Sequence, residues 1–270
     1  MSTSRPLLEV HNLTVRFPMH EVVAVDRLSF QIARGERVAL IGGSGSGKSA
    51  TALALIGLSD AAAVVEASSR IVFDGHELPA LDAESPDTLR TLRTLRGNRI
   101  AMIFQDPAAA LNPSMSVRDQ IAETALVHGV SPAVARRDAD VMLARVGLHS
   151  SLGHAYPHEL SGGQCQRAMI AMALLLRPAL IIADEPTSSL DVIAQAQVLT
   201  VLGDLQRETR AALLLITHDL GVVATTCTRV LVMHAGQLVE DAPVERLFRA
   251  PAHPVSAALI RAVPRLAVGR

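Results

Sequence analysis

The stretch Leu40-Ile41-Gly42-Gly43-Ser44-Gly45-Ser46-Gly47-Lys48-Ser49 concentrates residue types that bind phosphate. Gly42 and Gly47 enclose four residues and lead into Lys48 and Ser49, the phosphate-loop spacing. The chemistry follows from backbone geometry. A glycine turn at a helix N-terminus lines up N–H donors at a positive dipole end, where an anion is favoured. Glycines at 42, 43, 45 and 47 are expected to take positive φ, so that the chain can approach phosphate closely. Lys48 reaches the β and γ phosphates of a nucleotide, and the Ser49 hydroxyl is a magnesium ligand. The expected nucleotide contacts are Gly42, Gly43, Ser44, Gly45, Ser46, Gly47, Lys48, Ser49 and Ala50.

The flanking residues position this loop. Arg37–Ile41 is an apolar run that predicts a buried strand, and Ala50–Leu55 predicts a helix. Leu8–Phe17 alternates like an edge strand, and Val22–Val25 and Leu28–Ile32 read as two further short strands. Phe17 is one of only five phenylalanines in the chain. It is either a core residue or a ring that stacks on a base. Strands are also expected at Arg70–Gly75, Arg99–Phe104, Leu180–Pro186 and Ala211–Thr217, with a hairpin around Ala235-Gly236. Helices are expected over Val117–Arg145, with Pro132 opening the second, then over Cys165–Leu176 and Val192–Arg207. Gln105–Pro113 reads as a proline-punctuated loop, and 243–263 as a helix pair interrupted at Pro251 and Pro254. Thr88–Arg96 holds Thr-Leu-Arg three times in tandem, in a solvent-facing helix to which the sequence assigns no task.

Alternating strands and helices predict an α/β core with a mainly parallel sheet, which binds ligands at the carboxyl ends of its strands. The phosphate loop, Gln105, Asp184-Glu185 and His218 each follow an expected strand. Asp184, after four apolar residues, fits a carboxylate that holds magnesium through water. Glu185 fits a general base for the attacking water. A helix N-cap is the plainer alternative for this acid pair.

Composition narrows the function class. The 270 residues carry a net charge of −1, so no broad basic footprint points to nucleic acid. No apolar run approaches the length of a membrane span, and the N-terminus has no signal-peptide core. Cys165 and Cys227 lie far apart without CxxC spacing, which suits a reducing compartment and argues against a disulfide framework or metal cluster.

Leu160-Ser161-Gly162-Gly163-Gln164 sits between the phosphate loop and Asp184. With that loop it resembles the ATP-binding cassette family over nearly the whole chain. The resemblance implies a phosphate-loop NTPase core with an N-terminal antiparallel β subdomain and an inserted α-helical subdomain. It divides a single domain into 1–105 and 178–242 as core, 106–177 as helical and signature subdomain, and 243–270 as tail. It also implies roles: Phe17 stacks on adenine, Gln105 senses magnesium and the attacking water, and His218 contacts the γ-phosphate. Ser189-Leu190-Asp191 is the loop that crosses a dimer interface, making Asp191 part of the site. Ser161, Gly162, Gly163 and Gln164 form a second phosphate cradle, which closes on ATP held by a partner subunit.

Phe104-Gln105-Asp106-Pro107, Leu111-Asn112-Pro113, Asp191–Gln197, His253-Pro254-Val255 and Ala262-Val263-Pro264 resemble the peptide and nickel importer group. That resemblance implies import of a peptide or a nickel chelate, driven by hydrolysis of ATP with Mg2+. The implied partners are a second, unlike ATPase subunit, two transmembrane permease subunits and an extracytoplasmic solute-binding protein, with no nucleic acid. The implied location is peripheral, on the cytoplasmic face of the inner membrane. Gly43 stands where many members carry glutamate, and the tail holds no cysteines, so no iron–sulfur cluster is expected. Both features lean toward the nickel or metallophore subunits. Cys165-Gln166 replaces a bulkier or basic pair. A soluble relative acting in DNA repair or on ribosomes is the alternative. A phosphate-loop kinase would leave the signature and His218 unexplained.

Overall fold

In the computed structural model, residues 5–79, 85–188 and 190–262 are described. The chain forms two units, residues 1–83 with 214–270, and residues 84–213.

The first unit begins with β1 (Leu8–Phe17) and β2 (Val22–Ile32). Both keep alternate side chains buried for most of their length, as strands with one covered face should. β1 is not an edge strand. It pairs antiparallel with β2 on one side and on the other with β4 (Val64–Val65) and β5 (Arg70–Phe73), and β6 (His76–Glu77) completes the sheet. The two short strands expected between 22 and 32 are one strand. Register shifts with left-handed Asn12 (φ 50) and Arg27 (φ 47) act as bulges, so the pairing runs on past Asp26-Arg27.

A second strand set in this unit carries the loop. β3 (Arg37–Gly42) is buried from Val38 onward and pairs parallel with β10 (Arg229–His234). β10 returns antiparallel as β11 (Gln237–Pro243). Ala235 and Gly236 both have positive φ (47 and 82), the two-residue turn that matches strand twist. α1 (Lys48–Leu55) starts at the end of the glycine loop, earlier than expected. α8 (Leu220–Thr226), which the sequence reading missed, is capped by Asp219 through Gly221 and Val222 N–H. α9 (Val244–Arg249) and α10 (Pro254–Arg261) form the tail helices. The buried carboxylate of Glu240 accepts from Ala252 and His253 N–H at 2.9 and 3.0 Å and ties this segment to β11. Val263 and Pro264 lie outside the described residues.

In the second unit, β7 (Ile100–Ile103) pairs parallel with β8 (Leu180–Asp184), which is buried at every position. A strand covered on both faces reads as an unbroken apolar run, which is why its sequence lacks alternation. β9 (Ala212–Ile216), equally buried, carries the chain from the second unit into the first. The helices are α2 (Pro86–Leu95), α3 (Pro107–Ala110), α4 (Val117–Leu126), α5 (Pro132–Arg145), α6 (Gly162–Leu174) and α7 (Val192–Thr209). α3 lies inside the segment expected to be loop, because Asp106 caps Ala108 and Ala109 N–H and Pro107 is set for a first turn. Buried Gln120 accepts from Asn112 N–H and donates to the carbonyls of Asn112 and Met115, fastening the following loop to α4.

Candidate functional site

The phosphate loop is a strand-to-helix turn whose shape is enforced by contacts from distant strands. Gly42, Gly45 and Gly47 have φ of 158, 74 and 98, in the region that favours glycine. A Cβ on Gly42 would lie 2.3 Å from the Met233 carbonyl oxygen of β10. One on Gly47 would lie 2.1 Å from the Ala24 carbonyl oxygen of β2. Gly43 departs from expectation: it is absent from the positive-φ glycines, and a Cβ there would meet nothing within 4 Å. The backbone therefore does not require glycine at 43, and a glutamate side chain has room to leave the loop.

Lys48 is 8% exposed, yet its charge is not stranded. Its Nζ donates to the carbonyls of Gly42 and Gly43 at 3.0 and 2.9 Å and to Ser46 Oγ at 3.3 Å. The ammonium is thus held over the loop, on the same loop as the N–H donors that would face a phosphate. Ser46 is buried, while Ser44 and Gly45 are exposed. Ser49, in the first turn of α1, has an exposed side chain, and Ala50 is half-buried behind it. Phe17 ends β1 half-buried rather than in the core, paired with Val22. His218 is exposed two residues after β9. All of these belong to the first unit.

The second unit brings together a different subset. Asp184 is the last residue of β8 and is 4% exposed. Glu185 follows with a left-handed backbone (φ 45), so the chain turns sharply and the two carboxylates do not continue the strand's alternation. Gln105 Nε2 donates to Glu185 Oε2 at 3.4 Å, joining two residues eighty positions apart. Ser49, Gln105 and Asp184 all offer oxygen, the donor that Mg2+ takes. Taken one by one, these donors suit Mg2+, and the glycine cradle suits a phosphate.

The signature opens α6 through a reciprocal cap. Ser161 Oγ accepts from Gln164 N–H at 3.3 Å, and Gln164 Oε1 accepts from Ser161 N–H at 2.9 Å. Ser161 and Gly162 are exposed, and Gly163 is half-buried. The helix begins at Gly162, three residues before the expected start, because this cap forms. Cys165 is buried, and burial pushes its thiol up. Gln166 is 1% exposed, and among the described residues its Nε2 has no hydrogen-bond partner. Asp191 caps α7, accepting from Ile193 and Ala194 N–H at 3.0 and 2.9 Å, a role the sequence reading did not give it. Ser189 lies outside the described residues. Sequence reasoning also missed Ala24 and Met233, whose carbonyls wall the loop; no local pattern marks a backbone oxygen delivered from another strand.

A glycine cradle with a held lysine, a buried strand-end carboxylate and a self-capped Ser-Gly-Gly helix start together define a phosphate-loop ATPase with a signature segment. The comparisons agree. Residues 25–188 match the family model described as ABC transporter. The oligopeptide transport ATP-binding protein OppD of Salmonella typhimurium is 48% identical over 265 residues, 96% of this chain and 77% of that protein. The dipeptide transport ATP-binding protein DppD of Haemophilus influenzae is 44% identical, covering 98% and 79%. Among solved structures, cbiO1 of Clostridium perfringens, described as part of an ABC transporter complex, superposes with a TM-score of 0.76 at 28% identity, covering 91% of each chain. The chain belongs to the ABC transporter family, as an ATP-binding and ATP-hydrolysing member.

Proposed function

We propose that this chain energises import of a peptide, working beside a second ATPase subunit and two membrane-spanning permease subunits served by an extracytoplasmic binding protein. The observation that carries the reading is the phosphate loop with Lys48 held on it, combined with a signature segment that closes its own helix cap through Ser161 and Gln164. In this arrangement ATP lies between the phosphate loop of one subunit and the signature of its partner. No helix among the described residues is long and apolar enough to cross a membrane, so attachment to the inner membrane runs through the permease subunits. The working partition is 1–105 and 178–242 as the catalytic core, 106–177 as the helical subdomain and 243–270 as the tail.

Roles follow from chemistry. Phe17 offers a ring for the adenine, and the loop N–H groups with Lys48 hold the phosphates. Ser49, Gln105 and Asp184 are the residues that would hold Mg2+, which when bound neutralises charge on the phosphates. Glu185 takes the proton of the attacking water, Gln105 orients that carboxylate, and His218 reaches the γ-phosphate. Peptide is favoured over a nickel chelate because the oligopeptide and dipeptide transport proteins above are similar to this chain over 96% and 98% of its length. Gly43 does not select against peptide, since its position is open.

Glu185→Gln tests the base. ATP binding should persist while turnover falls by at least about a hundredfold, read by nucleotide titration and phosphate release. Turnover at the parent rate would remove Glu185 from the chemistry. Cargo is tested by titrating the binding protein of the assembled importer with peptides and with a nickel chelate; preference for the chelate would overturn the peptide assignment.

A further inference from the structure

The turn between β10 and β11 does more than reverse the chain. Gly236 N–H donates to the Ser46 carbonyl of the phosphate loop at 3.2 Å, and the Gly236 carbonyl accepts from Asp26 N–H of β2 at 2.9 Å. Asp26 can supply that N–H because of the bulge in β2. The ladder with β1 pairs Leu13 with Leu28 and Val15 with Val25, so Asp26 and left-handed Arg27 fall outside its register. The bulge thus re-aims a strand donor at the turn. A Cβ on Gly236, whose φ is 82, would lie 3.1 Å from the Ala24 carbonyl oxygen, which is why a glycine seats there.

Side chains close this junction. Gln237 Nε2 donates to Asp26 Oδ2 at 2.6 Å, a charge-assisted bond, and Arg27 Nε donates to Asp26 Oδ1 at 3.1 Å. The hydrogen bond from Gln237, with Arg27 adding, holds the Asp26 carboxyl below the usual carboxylate range. On the other flank Thr51 Oγ1 of α1 lies 3.8 Å from the buried Met233 Sδ of β10. The consequence for the loop follows from peptide geometry. The Ser46–Gly47 peptide is planar and trans, so its C=O and N–H point in opposite directions. With the Ser46 carbonyl directed at Gly236, the Gly47 N–H is directed away from the turn.

We propose that Asp26 and Gln237 are positioning residues for ATP: they strap the β10–β11 turn to β2, so that Gly236 holds the Ser46 carbonyl and the Gly47 N–H stays aimed at phosphate. The inference rests on the phosphate-loop reading above and adds how the cradle is kept in its binding shape. A donor set in advance costs no reorganisation when the phosphate arrives. Without the strap the donors are all still present, but a smaller fraction of loops is competent to bind. Apparent affinity falls by that fraction, and the chemical step after binding is untouched.

The test measures KM and kcat for ATP in the assembled importer, and ATP affinity of the isolated full chain. Gln237→Met keeps the size of an exposed side chain and removes its donor. It should raise KM and weaken ATP binding about fivefold, with kcat within about twofold of the parent and an unchanged urea midpoint. Asp26→Ala should do the same, and the Asp26→Ala/Gln237→Met double variant should be no worse than either alone, since the pair acts as one unit. Asp26→Asn keeps an oxygen that accepts from Gln237, so its KM should stay within about twofold of the parent. A parent KM in Gln237→Met, a fall in kcat without a change in KM, or a roughly twenty-fivefold additive loss in the double variant overturns the proposal. So does an Asp26→Asn variant as impaired as Asp26→Ala. Lys48→Ala separates this inference from the reading beneath it. Loss of ATP binding in Lys48→Ala beside parent behaviour in Gln237→Met removes the strap alone. Parent ATP affinity in Lys48→Ala overturns the phosphate-loop reading, and this inference with it.

Discussion

The phosphate loop and the signature segment are both glycine-bearing turns that open a helix, and they are built on opposite principles. The loop takes left-handed backbone at Gly42, Gly45 and Gly47 and is pressed against the Met233 and Ala24 carbonyls. The signature takes ordinary helical geometry, closes on itself through Ser161 and Gln164, and leaves its glycines room. A Cβ at Gly162 would sit 3.9 Å from Leu190, and one at Gly163 would sit 3.4 Å from Ala194, both ordinary contacts. Glycine at 42 and 47 is thus explained inside this chain. Glycine at 162 and 163 is not; in the proposed arrangement a phosphate approaching from outside the chain supplies the missing reason.

Substitutions can break this contrast. Gly47→Ala carries the largest expected effect: a loss of about 3 kcal/mol from overpacking and backbone strain, with ATP binding gone, measured by urea unfolding and nucleotide titration. Near-parent stability would mean that the loop is no more constrained than the signature. Ser161→Ala removes a helix cap and should cost about 1 kcal/mol, seen as a lower urea midpoint with unchanged slope. A loss as large as that at Gly47 would erase the distinction between the two turns. Gly43→Glu should change stability by less than about 0.5 kcal/mol, because the position is open and not left-handed; a large loss would return Gly43 to the strained set.

What was legible in the sequence follows the same division. The loop and the strand-end positions of Gln105, Asp184 and His218 are local patterns that spacing places, and the signature is a local pattern that the family resemblance places. Gly43 was misjudged because composition cannot say which glycine of a rich loop bears the positive φ. The interior place of β1 and the continuity of β2 depend on pairing partners and on bulges at Asn12 and Arg27, which alternation does not encode. The short helices α3 and α8 exist through Asp106 and Asp219, caps whose role is visible only once the N–H groups they accept from are in place. The Gln105–Glu185 contact joins residues from two strand ends, and only the fold brings them together.

Gly162→Ala tests most directly whether the signature acts on a nucleotide that this chain does not itself hold. ATP affinity of the isolated variant should be measured beside ATP turnover of the importer assembled from it. The trans arrangement predicts affinity within about twofold of the parent, stability unchanged or raised by less than about 1 kcal/mol, and turnover reduced at least tenfold, of the order seen when one preorganised anion-binding donor is disturbed. Affinity lost in the isolated chain, or turnover left at the parent rate, would contradict it.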